Sequence, residues 1–296
     1  SGGFSPLKST CRLSNPLSAA PHTPELRCYS NEGVSDIHSY YARTEEADRL
    51  HSGSGLLEFH RTQQLILRHL PAAPLSILDV GGGPGLYAAW LTGLGHSVYL
   101  LDPVDKHIEQ AGRLNLAGVR QGDARALPCE SNSVDAVLLL GPLYHLTERK
   151  DRITAIGEAH RVLKPGGLLF AAAISRYASL LHSLVDGFVD DDAFWPILSR
   201  DLAEGQHRNE TGIAKYFTTS VFHRPEELLS EVHEAGFTEA EVLGIEGPGW
   251  LAKDFDERWR DESRRARLLD LVQTVERDAP LLGCSLHLMS IARKIL

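Results

Sequence analysis

The chain has 296 residues, 43% of them hydrophobic and 23% charged. That is the make-up of a globular protein large enough to bury its own core without staples. The formal net charge of −9 argues against a nucleic-acid partner, because neutralising phosphates takes a basic face. No apolar run reaches bilayer length, so no membrane partner is expected. Four cysteines, Cys11, Cys28, Cys129 and Cys284, lack CxxC spacing. They read as reduced thiols of a cytoplasmic protein, not as a disulfide framework or a zinc site.

Residues 1–35 are rich in Ser, Pro and Leu and begin with Ser rather than Met. The acid-poor start resembles an organelle transit peptide, but no arginine-rich amphipathic helix accompanies it. The expectation is a disordered leader, with one domain over 36–296. The pattern then alternates. Helices are expected at Tyr40–His51 and Leu56–Leu70, separated by Ser52-Gly53-Ser54-Gly55. A short apolar strand, Leu75–Val80, stops at three glycines. Helix Leu86–Leu94, strand Val98–Leu101, helix Val104–Leu116 and a strand near Val119 follow. After strand Val134–Leu140, a helix over Glu148–Leu163 is closed by Lys164-Pro165-Gly166-Gly167, and strand Leu168–Ser175 comes next. Helices are expected at Ala178–Val185, Ala193–Ala203 and Pro225–Ala235, then strand Phe237–Ile245. One long charged helix, Asp254–Arg277, precedes a last strand, Leu286–Ala292. Strands alternating with helices at these lengths predict an α/β fold with a mostly parallel sheet and helices on both faces.

The strongest local signal is Leu78-Asp79-Val80-Gly81-Gly82-Gly83-Pro84-Gly85, between the first strand and a helix. Glycines there let the backbone approach a ligand closely. A dinucleotide site wants GxGxxG; counted from Gly81, its last position is Leu86. The match is instead GxGxG with an acid two residues ahead. A second acid, Asp102, ends the next strand before Pro103, 23 residues after Asp79. A third, Asp123, follows the third strand in Gln121-Gly122-Asp123-Ala124. Three acids at the carboxyl ends of successive strands mark the edge where open α/β sheets bind ligands.

These motifs resemble those of class I, Rossmann-like S-adenosylmethionine-dependent methyltransferases, and the resemblance covers residues 36–175. It implies a seven-stranded, mostly parallel sheet with helices on both faces, and S-adenosyl-L-methionine as cofactor. The loop of Asp79, Gly81, Gly82, Gly83 and Gly85 would hold the methionine end. Asp102 with Pro103 would meet the ribose, and Gly122, Asp123 and Ala124 the adenine. Ser133–Leu146 resembles the family's fourth motif, with Leu140 beside the cofactor. Tyr41 and Glu58 sit in upstream helices that close over the cofactor in related enzymes.

The resemblance also points to the acceptor. Gly141-Pro142-Leu143-Tyr144 lacks the amide or acid that base-amine methyltransferases carry after the fourth strand, which disfavours DNA and RNA. Insertions 176–223 and 247–285, after the fifth and sixth strands, are expected to form a helical lid. Tyr144, Tyr216 and Trp250 are its candidate substrate contacts. Among fourteen histidines there is no HExxH pair and no Cys/His cluster, so no metal is expected. His145 and His287 fall at the reaction edge as candidate proton acceptors. The expected function is methylation of a small molecule on oxygen or nitrogen, in specialised metabolism. Methylation of a peptide or protein, a non-catalytic cofactor-binding role and a dehydrogenase stay open as alternatives.

Overall fold

A computed structural model describes residues 49–295. Helix α1, Ser54–His69, leads into β1, Ser76–Val80, a strand buried at every residue. Then come α2 (Leu86–Gly93), β2 (Ser97–Asp102), α3 (Asp105–Ala111), β3 (Gly118–Gln121) and β4 (Val134–Leu139). A single turn, α4 (Pro142–His145), precedes α5 (Arg149–Val162) and the long β5 (Leu163–Ser175). The first insertion holds α6 (Ala178–Asp186), α7 (Trp195–Glu204), β6 (Gln206–His207) and β7 (Ser220–His223). The chain continues through α8 (Pro225–Glu234) and β8 (Glu239–Gly244). The second insertion carries α9 (Phe255–Arg260), α10 (Glu262–Val275) and α11 (Ala279–Leu282), and β9 (His287–Arg293) closes the sheet.

Strands β3, β2, β1, β4 and β5 lie side by side and parallel; β9 runs antiparallel between β5 and β8. This seven-strand frame is the expected one. Side chains alternate across it. Leu78 and Val80 pack with Ala155 and Ile156 of α5 and Leu228 of α8. Ile77 packs with Leu65 and Ile66 of α1 and Leu91 of α2 on the other face.

Four details depart from the sequence-based expectation. The sheet has nine strands rather than seven, because the mainly helical first insertion adds the β6–β7 hairpin. Strand β7 pairs with Ile174 and Ser175 of β5, just past the point where β4 ends at Leu139. Lys164-Pro165-Gly166-Gly167 sits inside β5 as an irregularity, where the β4 register slips between Val134 and Ala136. The long helix expected over 254–277 is two helices: the backbone of Asp261 is extended, and its carboxylate caps α10 by accepting the amide of Arg264. Finally, the helix after β2 ends at Ala111 with Gly112 rather than reaching Leu116.

Candidate functional site

One cavity opens at the carboxyl ends of β1 to β4 and is closed laterally by α1 and the start of β9. Parallel strands put their carboxyl ends and the following helix N-termini on one side, so Asp79 near the end of β1, Asp102 at the end of β2 and Asp123 just past β3 converge there. Its lining includes Glu58, Asp79, Gly81, Gly82, Gly83, Asp102, Pro103, Gly122, Asp123, Ala124, Leu140, Tyr144, His145 and His287.

The glycine loop is shaped by close approach. Gly81 has φ 67°, and a Cβ there would meet Pro142 Cγ at 2.6 Å. Only glycine tolerates both demands. Gly85 was expected to contact the cofactor; it does not line the cavity. Its φ of 91° serves the entry to α2, and its face is filled by Leu114.

The three acids have different surroundings. Asp79 is buried, and its Oδ2 has no hydrogen-bond partner among the described residues. Burial, with the charge of Asp102 added, pushes its carboxyl up to about 7. Asp102 is held at both oxygens. Its oxygens accept the amides of Gly83 and Val104, each at 2.9 Å, and His107 Nδ1 lies 3.0 Å away. Asp123 is gripped by Arg125, whose backbone amide and guanidinium both donate to it. Burial works to raise the Asp123 carboxyl, but Arg125 outweighs it and holds it low.

The two singled-out histidines differ. His145 packs against Tyr144, with ring centroids 4.6 Å apart, and against Phe217 at 6.2 Å. Phe217 belongs to the first insertion and is held at φ 66°, a strained backbone for a bulky side chain. Burial drives the His145 imidazole down to about 4, so it is neutral at neutral pH. His287 stands between two carboxylates. Its Nδ1 is 2.6 Å from Glu246 Oε1 and 3.7 Å from Glu58 Oε2. Burial alone would lower it, but Glu58 and Glu246 outweigh that and raise it above the ordinary imidazole range. Glu58 is itself paired with Arg49 at 2.5 Å.

Two expected substrate contacts lie elsewhere. Tyr216 is enclosed by Phe194, Ile197 and Leu198 in the insertion's own core, with its hydroxyl on Asp191. Trp250 packs on Leu57 and Leu269, and its indole N–H donates to the Cys284 carbonyl at 2.9 Å. Both rings bury apolar area in side clusters instead of facing the cavity. Tyr41 falls outside the described residues. Conversely, the cavity takes in Arg49, Thr62, Tyr87, His107 and Arg125, which sequence reasoning missed. His107 and Arg125 were findable: each follows a candidate acid by a few residues. Arg49, Thr62 and Tyr87 reach the site only through helix packing.

Residues 78–171 match the family model described as methyltransferase domain. A ubiquinone biosynthesis O-methyltransferase of Methylocella silvestris is 36% identical over 111 residues, covering 36% of this chain and 42% of the relative. A ubiquinone/menaquinone biosynthesis C-methyltransferase of Acidiphilium cryptum is 35% identical over 114 residues, covering 36% and 45%. The chain thus spans less than half the length of these curated relatives. Among solved structures, the 1,6-didemethyltoxoflavin N1-methyltransferase of Burkholderia thailandensis has TM-score 0.52 at 16% identity, over 90% of this chain and 91% of that one. That structure holds its acceptor and S-adenosylhomocysteine. A possible histamine N-methyltransferase of Thermotoga maritima has TM-score 0.53 at 17% identity, over 87% and 98%. At these identities the likeness is one of fold.

Proposed function

The chain belongs to the class I, Rossmann-like S-adenosylmethionine-dependent methyltransferases, and on that premise we propose that it methylates a small molecule on oxygen or nitrogen. The observation that carries this reading is the convergence of Asp79, Asp102 and Asp123 with the glycine loop on one cavity. The donor set fits the cofactor. The unpartnered Oδ2 of Asp79 offers an acceptor to an ammonium group, and the glycine loop leaves backbone room beside it. Asp102, already ordered by two amides, keeps acceptor capacity on Oδ2 for a ribose hydroxyl. Asp123, with Ala124 behind it, suits an adenine amino group.

When bound, S-adenosylmethionine supplies an electrophilic methyl group. The protein's part is to hold the acceptor in line, exclude water and take up a proton where one is released. Tyr144, His145 and His287 line the same cavity, and we assign them to the acceptor. The private insertions after β5 and β8 support a dedicated acceptor and a place in specialised metabolism. Among the described residues no helix is long and apolar enough to cross a membrane.

The test is transfer of labelled methyl from S-adenosylmethionine, using the full chain and a mixed panel of phenols, amines and peptides. Label appearing in small molecules supports the reading. Label in peptides alone, or no transfer with tight cofactor binding, contradicts it.

A further inference from the structure

Beyond the cofactor-binding acids, the turn after β8 and the start of β9 build a second device. Glu246 is 1% exposed, and both of its oxygens are engaged. Oε2 accepts the Ser285 hydroxyl at 2.8 Å and the His287 amide at 2.9 Å, while Oε1 meets His287 Nδ1 at 2.6 Å. Ser285 Oγ in turn accepts the amides of Glu246 and Gly247, each at 3.0 Å. A carboxylate can only accept, so Nδ1 must carry the proton. That leaves Nε2 as the basic nitrogen of the neutral ring. The hydrogen bonds and ion pairs that the described residues make with His287 all use its backbone amide or Nδ1, and His287 lines the cavity.

We infer that Glu246 is a positioning residue that fixes the tautomer of His287, making His287 Nε2 the proton acceptor for a hydroxyl acceptor. The inference rests on the methyltransferase reading and narrows its substrate class. A neutral amine has a free lone pair and needs no base to attack. A hydroxyl becomes a strong nucleophile only as its proton leaves. In the step, the acceptor oxygen bonds the methyl carbon and gives its proton to Nε2. The old carbon–sulfur bond leaves its electron pair on sulfur. The products are a methyl ether, the thioether form of the cofactor and the His287 imidazolium, which then returns its proton to solvent. His145 is the poorer base, because burial makes it reluctant to accept a proton.

The charged and titratable groups around His287 are Glu246 at the end of β8, Glu58 on α1 with its partner Arg49, Tyr87 on α2 beside Glu58, and Arg61 near Glu246. Glu58, Glu246 and His287 also offer three metal-ligand atoms within 4.8 Å of one another. The guanidinium already on Glu58 and the three hydrogen bonds already made to Glu246 favour the hydrogen-bonded dyad over a cation.

Long-range proton–nitrogen spectra of the full chain with 15N-labelled histidine test this directly, with the His287 signals assigned by their loss in His287→Asn. The expected result is an Nδ1–H tautomer that titrates above exposed histidines. Glu246→Gln should lower that midpoint by about one pH unit or more, the effect of removing an adjacent opposite charge, and Glu246→Asp should restore most of it. If Glu246→Gln does not fold, Ser285→Ala should move the midpoint in the same direction by less. An Nε2–H tautomer, an unmoved midpoint, or signals that shift when Mg2+ or Zn2+ is added would overturn the dyad. S-adenosylhomocysteine titrated into the same samples separates the two ideas, since failure to bind would sink the methyltransferase reading whatever the tautomer. In the methyl-transfer panel, label on hydroxyl compounds lost in His287→Asn is expected. A panel in which no hydroxyl compound accepts methyl overturns the inference.

Discussion

Asp102, the last residue of β2, accepts the backbone amide of Gly83 at 2.9 Å, tying the end of one strand to the glycine loop of its neighbour. The same carboxylate accepts the Val104 amide and meets His107. Its removal would leave two amides without an acceptor and take away the anchor for a ribose. Hydrogen bonds to charged groups are worth about 1.5–3 kcal/mol each. Asp102→Ala should therefore weaken S-adenosylhomocysteine binding roughly tenfold to a hundredfold. Asp102→Asn should recover little, because an amide NH2 would face N–H donors. Isothermal titration checks both, and unchanged affinity in Asp102→Ala would contradict the assignment.

Asp79 sets a pH dependence. Burial first, and the nearby Asp102 second, raise its carboxyl to about 7. An ammonium ligand binds the charged form, so affinity for S-adenosylhomocysteine should strengthen as pH rises through about 7. A deaminated analogue should show no such slope. The effect on stability has the opposite sign. The ordinary carboxyl value is 3.8, and the folded value lies above it. The folded state then binds more protons over that interval, so this group's contribution to ligand-free stability falls as pH rises from 3.8 to about 7. Melting temperatures with and without ligand across that range should therefore diverge as pH increases.

Much of this was legible in the sequence, for reasons particular residues make plain. The apolar runs at 75–80 and 134–140 are strand-length, and each of the first three strands carries an acid at or just past its carboxyl end. Asp79, Asp102 and Asp123 come together because parallel topology alone sends strand ends to one edge. Tyr216 and Trp250 were misplaced because an aromatic in an insertion gives no sign of which cluster it fills. Trp250 faces Leu57, whose helix lies nearly 200 positions upstream. Glu246 escaped notice for a similar reason: its partner His287 is 41 residues away, joined to it only by the pairing of β8 and β9.

Glu276 anchors the wall behind the site. It is 1% exposed and takes the guanidinium of the fully buried Arg61 at 2.5 Å, with Arg68 and Arg277 beside it. Arg61 also donates to the Ile245 carbonyl, next to Glu246. Removing one partner strands a buried charge, at a cost of about 3–5 kcal/mol. Glu276→Ala should lower unfolding stability by that amount in chemical denaturation, while Arg113→Ala, in an exposed pair with Glu109, should change it by less than about 1 kcal/mol.

Trp250 offers a control for the cavity's limits. Trp250→Ala removes a buried ring from the cluster with Leu57 and Leu269 and should cost about 3–5 kcal/mol of stability. Because the ring does not line the cavity, affinity of the folded protein for S-adenosylhomocysteine should stay within about twofold. A large loss of affinity without loss of stability would move Trp250 back to the site.

The most direct measurement is calorimetric titration of the full chain with S-adenosylhomocysteine and, separately, with NAD. One-site binding of the sulfur nucleotide is expected, lost or sharply weakened in Asp102→Ala, with no heat from NAD. Binding of NAD alone, or of neither ligand, would contradict the claim that the three acids and the glycine loop form an S-adenosylmethionine site.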